Sequence, residues 1–180
     1  VLDEVFVNDP EPAVRWRAAR AVVKYCRGES PPDVVEFLRR ALLDPDEHAA
    51  IKAACPRLND GLFWQRTVTA VGRLTPEVAG PPLLTLFRRK RDATYLVGEL
   101  IRIGGPWRDG QGQLRRFSPI QREILAAIAE LPDTSSPGSA DPPGWSLLSC
   151  RHPLSDVGLP ATRQGLLDLL AGKPEPPAAH

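Results

Sequence analysis

The sequence predicts an all-α fold, a stack of helical hairpins over residues 1–131, and three observations carry that prediction. Asp9-Pro10-Glu11, followed by Ala13-Val14 and Ala18-Ala19, returns 35 positions later as Asp44-Pro45-Asp46, followed by Ala49-Ala50 and Ala53-Ala54. A helix start repeated at such a period marks a stacked helical array. Aromatics are only 6% of the chain. That scarcity suits close helix packing and disfavours a β-sandwich, which needs runs of Val, Ile, Thr and Tyr. Apolar residues also recur at the helical period in successive segments.

Each element has its own signal. Residues 1–7 read as the end of a preceding helix. Asp9-Pro10 then starts a helix from about Glu11 to Arg27, because Asp accepts from free N–H groups and Pro tolerates a first turn. Its expected buried stripe is Val14, Ala18, Ala21, Val22 and Tyr25, and Gly28 is the expected stop. Ser30-Pro31-Pro32-Asp33 opens a helix to about Leu43, with Val34, Phe37, Leu38, Ala41 and Leu42 inward. Asp44-Pro45 starts a shorter one to Ala54. Residues 61–74, 77–90 and 92–103 carry further amphipathic segments, and Ser118-Pro119 opens the last strong helix, to Leu131. The 20 prolines and 14 glycines are expected between helices or in segments without a fold. Residues 132–144 read as a flexible linker and 145–180 as a weakly structured tail, with one short helix over Ala161–Leu170.

Composition excludes several function classes. No run of about 18 apolar residues exists, so no membrane span is expected. Acidic Asp3 and Glu4 stand where a signal peptide would be basic. The chain opens on Val1, which implies an alternative start or a cut from a longer protein. Cys26, Cys55 and Cys150 have no tight spacing, and Cys26 and Cys55 are expected as small buried hydrophobes. A reducing, cytoplasmic setting fits them. Cys150-Arg151-His152 is a single close pair, far short of the four ligands a structural zinc needs. No phosphate-cradling loop lies between a strand and a helix. No cofactor, no metal and no catalytic residue is expected.

The near-neutral charge hides an asymmetry. Residues 61–122 hold eleven basic and four acidic groups, against nine and eleven in 1–60 and three and seven in 123–180. Arg88, Arg89, Lys90 and Arg91 fall between two helices. Arg108, Arg115 and Arg116 lie in or beside a Gly-rich loop with Trp107 and Phe117. Arg and aromatic residues dominate binding hot spots, so Arg88, Arg89, Lys90, Arg91, Trp107, Arg108, Arg115 and Arg116 form the candidate binding set. The same set is able to grip phosphates and stack bases.

The run Asp9-Pro10-Glu11-Pro12-Ala13-Val14-Arg15-Trp16-Arg17-Ala18-Ala19 resembles the HEAT-repeat family and, more loosely, its armadillo relatives. The resemblance implies a right-handed α-solenoid of helix pairs whose inner helices line a groove. Asp9, Pro10, Asp44 and Pro45 match the family's helix starts. Arg15 matches an Arg that commonly pairs with an Asp of the adjacent repeat. The copy at 44–54 has Ala50 where that Arg would stand, and the copy at 92–103 lacks Asp-Pro and Ala-Ala.

What the resemblance implies is a non-catalytic scaffold or adaptor binding a protein partner. The alternative is nucleic-acid binding through the basic 88–122 region. More remote relatives are DNA glycosylases, for which Trp16, Trp64 and Trp107 with Asp92 or Glu99 would have to converge, and bilin lyases. HEAT-like hydroxylases need His-Glu pairs, and only Glu47-His48 occurs, once and in reverse order.

Overall fold

A computed structural model describes residues 2–26, 30–89, 94–108, 110–111, 113, 116–131 and 147–172. Its regular structure is helical: α1 (Leu2–Asn8), α2 (Pro12–Tyr25), α3 (Pro32–Leu43), α4 (Pro45–Ala54), α5 (Asp60–Val71), α6 (Pro76–Arg89), α7 (Thr94–Gly104), α8 (Pro119–Ala129), α9 (Leu147–Asp156) and α10 (Arg163–Leu170). No helix among the described residues is long and apolar enough to cross a membrane. Contacts gather into two compact units, Val1–Leu86 and Phe87–His180, divided inside α6.

The helix starts follow local chemistry. Asp44 Oδ1 accepts from the Asp46 backbone N–H at 2.9 Å, and Pro45 occupies the first turn of α4. Asn59 Oδ1 does the same for Leu62 at 2.8 Å and starts α5. At α2 the cap differs from expectation. Asp9 Oδ1 accepts from the Glu11 N–H at 2.9 Å, which makes a turn one step ahead of the helix, and Glu11 rather than Asp9 is the flanking residue. Ser118 and Gln121 form a reciprocal capping box at α8, with bonds of 2.8 and 3.3 Å. The expected stop at Gly28 lies outside the described residues, as does the whole of 132–144.

In the first unit α1 packs on α2, α2 on α3, α4 and α5, and α3 on α4 and α5. Phe6 meets Phe37 edge-on at 5.4 Å, and Trp16 stacks on Phe63 at 5.4 Å. The Trp16 indole N–H donates to Thr67 Oγ1 at 3.1 Å, while the Thr67 hydroxyl donates to the Phe63 carbonyl at 2.8 Å. Both buried polar groups are thereby satisfied, as burial demands.

This anchoring corrects the α2 stripe. Ala13, Trp16, Ala18, Ala19, Val22 and Val23 are buried, while Tyr25 is 67% exposed. One large indole with a fixed partner outweighs the spacing of small residues, and it turns the helix. The repeated Ala pairs also diverge. Ala18 and Ala19 are buried, but Ala49, Ala50 and Ala53 are exposed, and α4 packs through Ile51. The 35-residue echo therefore repeats a helix start, not a packing face.

The second unit contains α7 to α10. α8 and α9 pack on α7, and α10 packs on α8. Leu147, Cys150, Leu154, Leu159 and Leu166 are buried, so residues read as a weakly structured tail contribute apolar core to this unit. Prolines are not confined to connections. Pro81 and Pro82 lie inside α6 and Pro153 inside α9. Each lacks an N–H, yet α6 still buries Leu83, Leu84, Leu86 and Phe87. That apolar burial outweighs the missing backbone bonds.

Candidate functional site

The described residues singled out from sequence have different surroundings. Arg88 and Arg89 are exposed in the last turn of α6, and Arg116 is exposed. Lys90, Arg91, Asp92 and Arg115 lie outside the described residues. Trp107 is not a surface residue. It is 2% exposed, its indole N–H donates to the Ile101 carbonyl at 2.8 Å, and Phe117 meets it edge-on at 5.8 Å. A ring placed in that way presents no face to a partner. Gly104 makes room for it, since a Cβ there would collide with the indole. Arg108 is half-buried and donates its Nε–H to the Gly158 carbonyl at 3.2 Å, with a second bond from Nη2. Gly158 has φ of +68°, and a Cβ at that position would strike the guanidinium.

The helix-start residues have structural tasks. Arg15 Nη1 donates to the Asp9 and Pro10 carbonyls at 3.0 Å each, and its guanidinium lies 5.9 Å from the Phe37 ring centre. Its hydrogen bonds close its own helix start rather than reaching an Asp of another repeat. Cys26 is exposed, not buried as expected, because α2 ends one residue earlier at Tyr25. Burial pushes the Cys150 thiol up to about 11, which keeps it protonated and poorly nucleophilic near neutral pH. Cys150 is buried while the His152 side chain is 88% exposed, so the two do not face one ligand. Among the described residues no group of three or more His, Cys, Asp or Glu side chains is arranged to hold a metal.

A different site emerges between α2 and α5. A cavity of about 590 Å³ is lined by Arg17, Arg20 and Lys24 from α2, by Arg66 from α5 and by Arg73 just beyond it. Tyr25, Leu62, Gln65, Thr69, Ala21 and Ala70 complete the wall, and among the described residues no Asp or Glu lines it. The spacings explain the convergence. Residues 17, 20 and 24 fall on one helical face, and 62, 66, 69 and 73 fall on another. Packing α2 on α5 through Trp16, Phe63 and Thr67 turns these two faces toward each other.

Arg20, one of the lining residues, is held from behind by the buried Trp16 ring, with its guanidinium 4.5 Å from the ring centre. That contact is a cation–π interaction. Arg20 Nε is buried and has no hydrogen-bond partner. Burial, and then the charges of Arg66, Arg73 and Arg17, hold Arg20 below its ordinary value. No described carboxylate relieves this repulsion. Elsewhere in the same unit several cations are paired with carboxylates: Arg39 with Glu36 at 2.7 Å, Arg40 with Glu47 at 3.8 Å, and Lys52 with Asp60 at 2.7 Å. The five cations of this cavity have no carboxylate among its described lining residues.

Sequence reading missed this site because it counted charge along the chain. Arg66 and Arg73 belong to the basic middle of the chain, whereas Arg17, Arg20 and Lys24 lie in a segment of net negative charge. The available signal was a cationic stripe at i, i+3 and i+7 on α2. A second cavity of about 330 Å³, lined by Ser30, Pro32, Val35, Glu36, Leu74, Thr75 and Val78, has no comparable cluster of charge. No protein-family model, no curated protein and no solved structure matches this chain.

Proposed function

We propose that the chain is a non-catalytic binding module, a short right-handed solenoid of HEAT-like helix pairs, which holds an acidic protein partner in the α2–α5 cavity. The solenoid reading is supported by the repeated Asp-Pro helix starts and by the contact order of the first unit. There each of α2 and α3 touches both the next helix and the one after it, as stacked pairs do. Three free thiols support a reducing, cytoplasmic setting.

The observation that carries the binding reading is the convergence of four arginines and a lysine with no carboxylate among the described lining residues. Exposed Tyr25 and Leu62 stand beside them and offer an aromatic and an aliphatic contact. Arg and Tyr are enriched where binding energy concentrates. The grouping of these five cations in one cavity, rather than along a track, favours a protein side-chain cluster over a nucleic-acid backbone, which needs a long basic track.

Anisotropy of a fluorescent peptide rich in Glu and Leu tests the reading. The full chain binds it, and the double reversal Arg17→Glu with Arg66→Glu abolishes binding while the protein remains folded. Unchanged binding in the reversed protein removes the proposal. Exposed Arg88, Arg89 and Arg116 favour one rival, retention on duplex DNA that falls steeply with salt. Retention that survives the α2–α5 reversal and is lost on reversing Arg88 and Arg89 would establish that rival instead.

A further inference from the structure

We infer that the α2–α5 cavity is a phosphomonoester site, shaped for a dianionic phosphate rather than for a carboxylate. The inference rests on the binding surface proposed above and narrows its ligand. Four guanidiniums and one ammonium line a single cavity of about 590 Å³. One carboxylate would neutralise a fifth of that charge. A phosphate monoester carries a charge of about −1.5 to −2 near neutral pH and presents three strong acceptor oxygens. It therefore meets several guanidiniums at once, and the fork geometry of Arg suits it.

Arg20 supplies the second argument. Its Nε is sequestered from solvent without a partner, and its guanidinium is held against the Trp16 ring. A buried donor left open is costly unless something fills it. Arg17, by contrast, has only a weak acceptor inside the fold, Cys55 Sγ at 3.3 Å. Arg66 and Arg73 are exposed and stand seven residues apart, on one face of α5 and its extension. The cation fixed against Trp16 and the exposed, adjustable ones around it line one bowl.

The walls indicate what the phosphate is attached to. Tyr25 is 67% exposed at the rim with Lys24 Nζ 5.0 Å from its ring centre, and Leu62 is beside it. This rim accepts an aromatic or aliphatic group bonded to the phosphate. A phosphodiester, with one negative charge per phosphate, uses the bowl poorly. The monoester has two sources, a phosphorylated side chain of the protein partner or a free organic phosphate, and both present the same chemistry.

Calorimetric titration of the full chain with phenyl phosphate, benzoate and methyl phenyl phosphate tests the inference. Phenyl phosphate is expected to bind at least about tenfold more tightly than either monoanion. Arg20→Gln and Arg66→Gln are each expected to weaken it by about tenfold or more. Arg39→Gln, which removes the same charge from a Glu36-paired residue outside the cavity, leaves it unchanged. Because Arg20 also packs on Trp16, Arg66→Gln keeps the test decisive if Arg20→Gln fails to fold.

A short acidic peptide carrying phosphotyrosine separates the sources. A further gain of about tenfold over phenyl phosphate assigns a phosphorylated partner, and no gain assigns a free phosphate ester. Equal binding of benzoate or of the diester overturns the inference. So does absence of heat with phenyl phosphate up to about 10 mM, or equal loss in Arg66→Gln and Arg39→Gln. If the unphosphorylated Glu-rich peptide still binds and still depends on Arg17 and Arg66, the acidic-partner reading survives while the phosphate inference fails.

Discussion

Arginine does two kinds of work in this chain, and the clearest cases fall in different units. In the second, three guanidiniums, those of Arg108, Arg122 and Arg163, are engaged by backbone carbonyls. Arg163 Nε donates to the Ala129 carbonyl at 2.9 Å, and its Nη2 donates to Leu131 at 2.9 Å and Glu130 at 3.3 Å, which covers the C-terminal end of α8. Arg122 Nη1 reaches the Leu170 carbonyl at the end of α10 at 3.4 Å. Each cation sits near the start of one helix and answers the end of the other, so the two helices run antiparallel. Arg108 does the same for the Gly158 carbonyl. In the first unit, Arg17, Arg20, Arg66 and Arg73 face one cavity and neutralise nothing there. A C-terminal carbonyl carries partial negative charge and fixes an arginine in the fold. An arginine facing only other cations remains available to a ligand.

Substitutions in the second unit should therefore be read in stability. The largest effect is expected at Trp107→Ala. A buried indole with a satisfied N–H leaves a large cavity when removed, at a cost of about 3–5 kcal/mol. Urea unfolding measures it, and a near-zero change would place Trp107 back on the surface. Gly158→Ala comes next, at about 2 kcal/mol, because φ of +68° disfavours a side chain and the new Cβ would strike Arg108. Gly172, with φ of +71° and open space around it, is the control for backbone conformation alone. If the two Gly→Ala changes cost the same, the Arg108 contact adds nothing. Arg163→Ala follows at about 1–2 kcal/mol, the value of charge-assisted bonds partly shared with solvent.

The comparison also separates what the sequence reveals from what it conceals. The helices were legible because their starts are local. Asp44, Pro45, Ser118 and Pro119 act within a turn of where they stand. Faces were partly legible: α3 buries Val34, Phe37, Leu38, Ala41 and Leu42, the stripe its period predicts. The α2 face was misread because Trp16 is oriented by Thr67, 51 residues away. The fates of the arginines were illegible for the same reason. Arg108 meets its carbonyl 50 positions on, and Arg163 meets Ala129 34 positions back. A run of basic letters states how much charge a segment has. Only the pairing of helices determines whether a carbonyl, a carboxylate or an empty cavity receives it.

The smallest expected effect discriminates best between the two roles. Arg66→Gln removes an exposed cation from a cluster in which the nearest charges repel it. Its stability change is expected within about 0.5 kcal/mol of zero, as for surface sites without a structural partner. The sign leans toward stabilisation, because Arg20 loses one of the charges that oppose its own. That gain should be largest at low ionic strength and should fade as salt approaches 1 M, where the Debye length falls to about 3 Å. Arg163→Ala should show no such dependence of sign, since its partners are carbonyls at contact distance. Paired urea titrations of the two variants at low and high salt make the measurement. A loss at Arg66 as large as that at Arg163 would mean that the cavity arginines hold the fold together, and the distinction between the units would collapse.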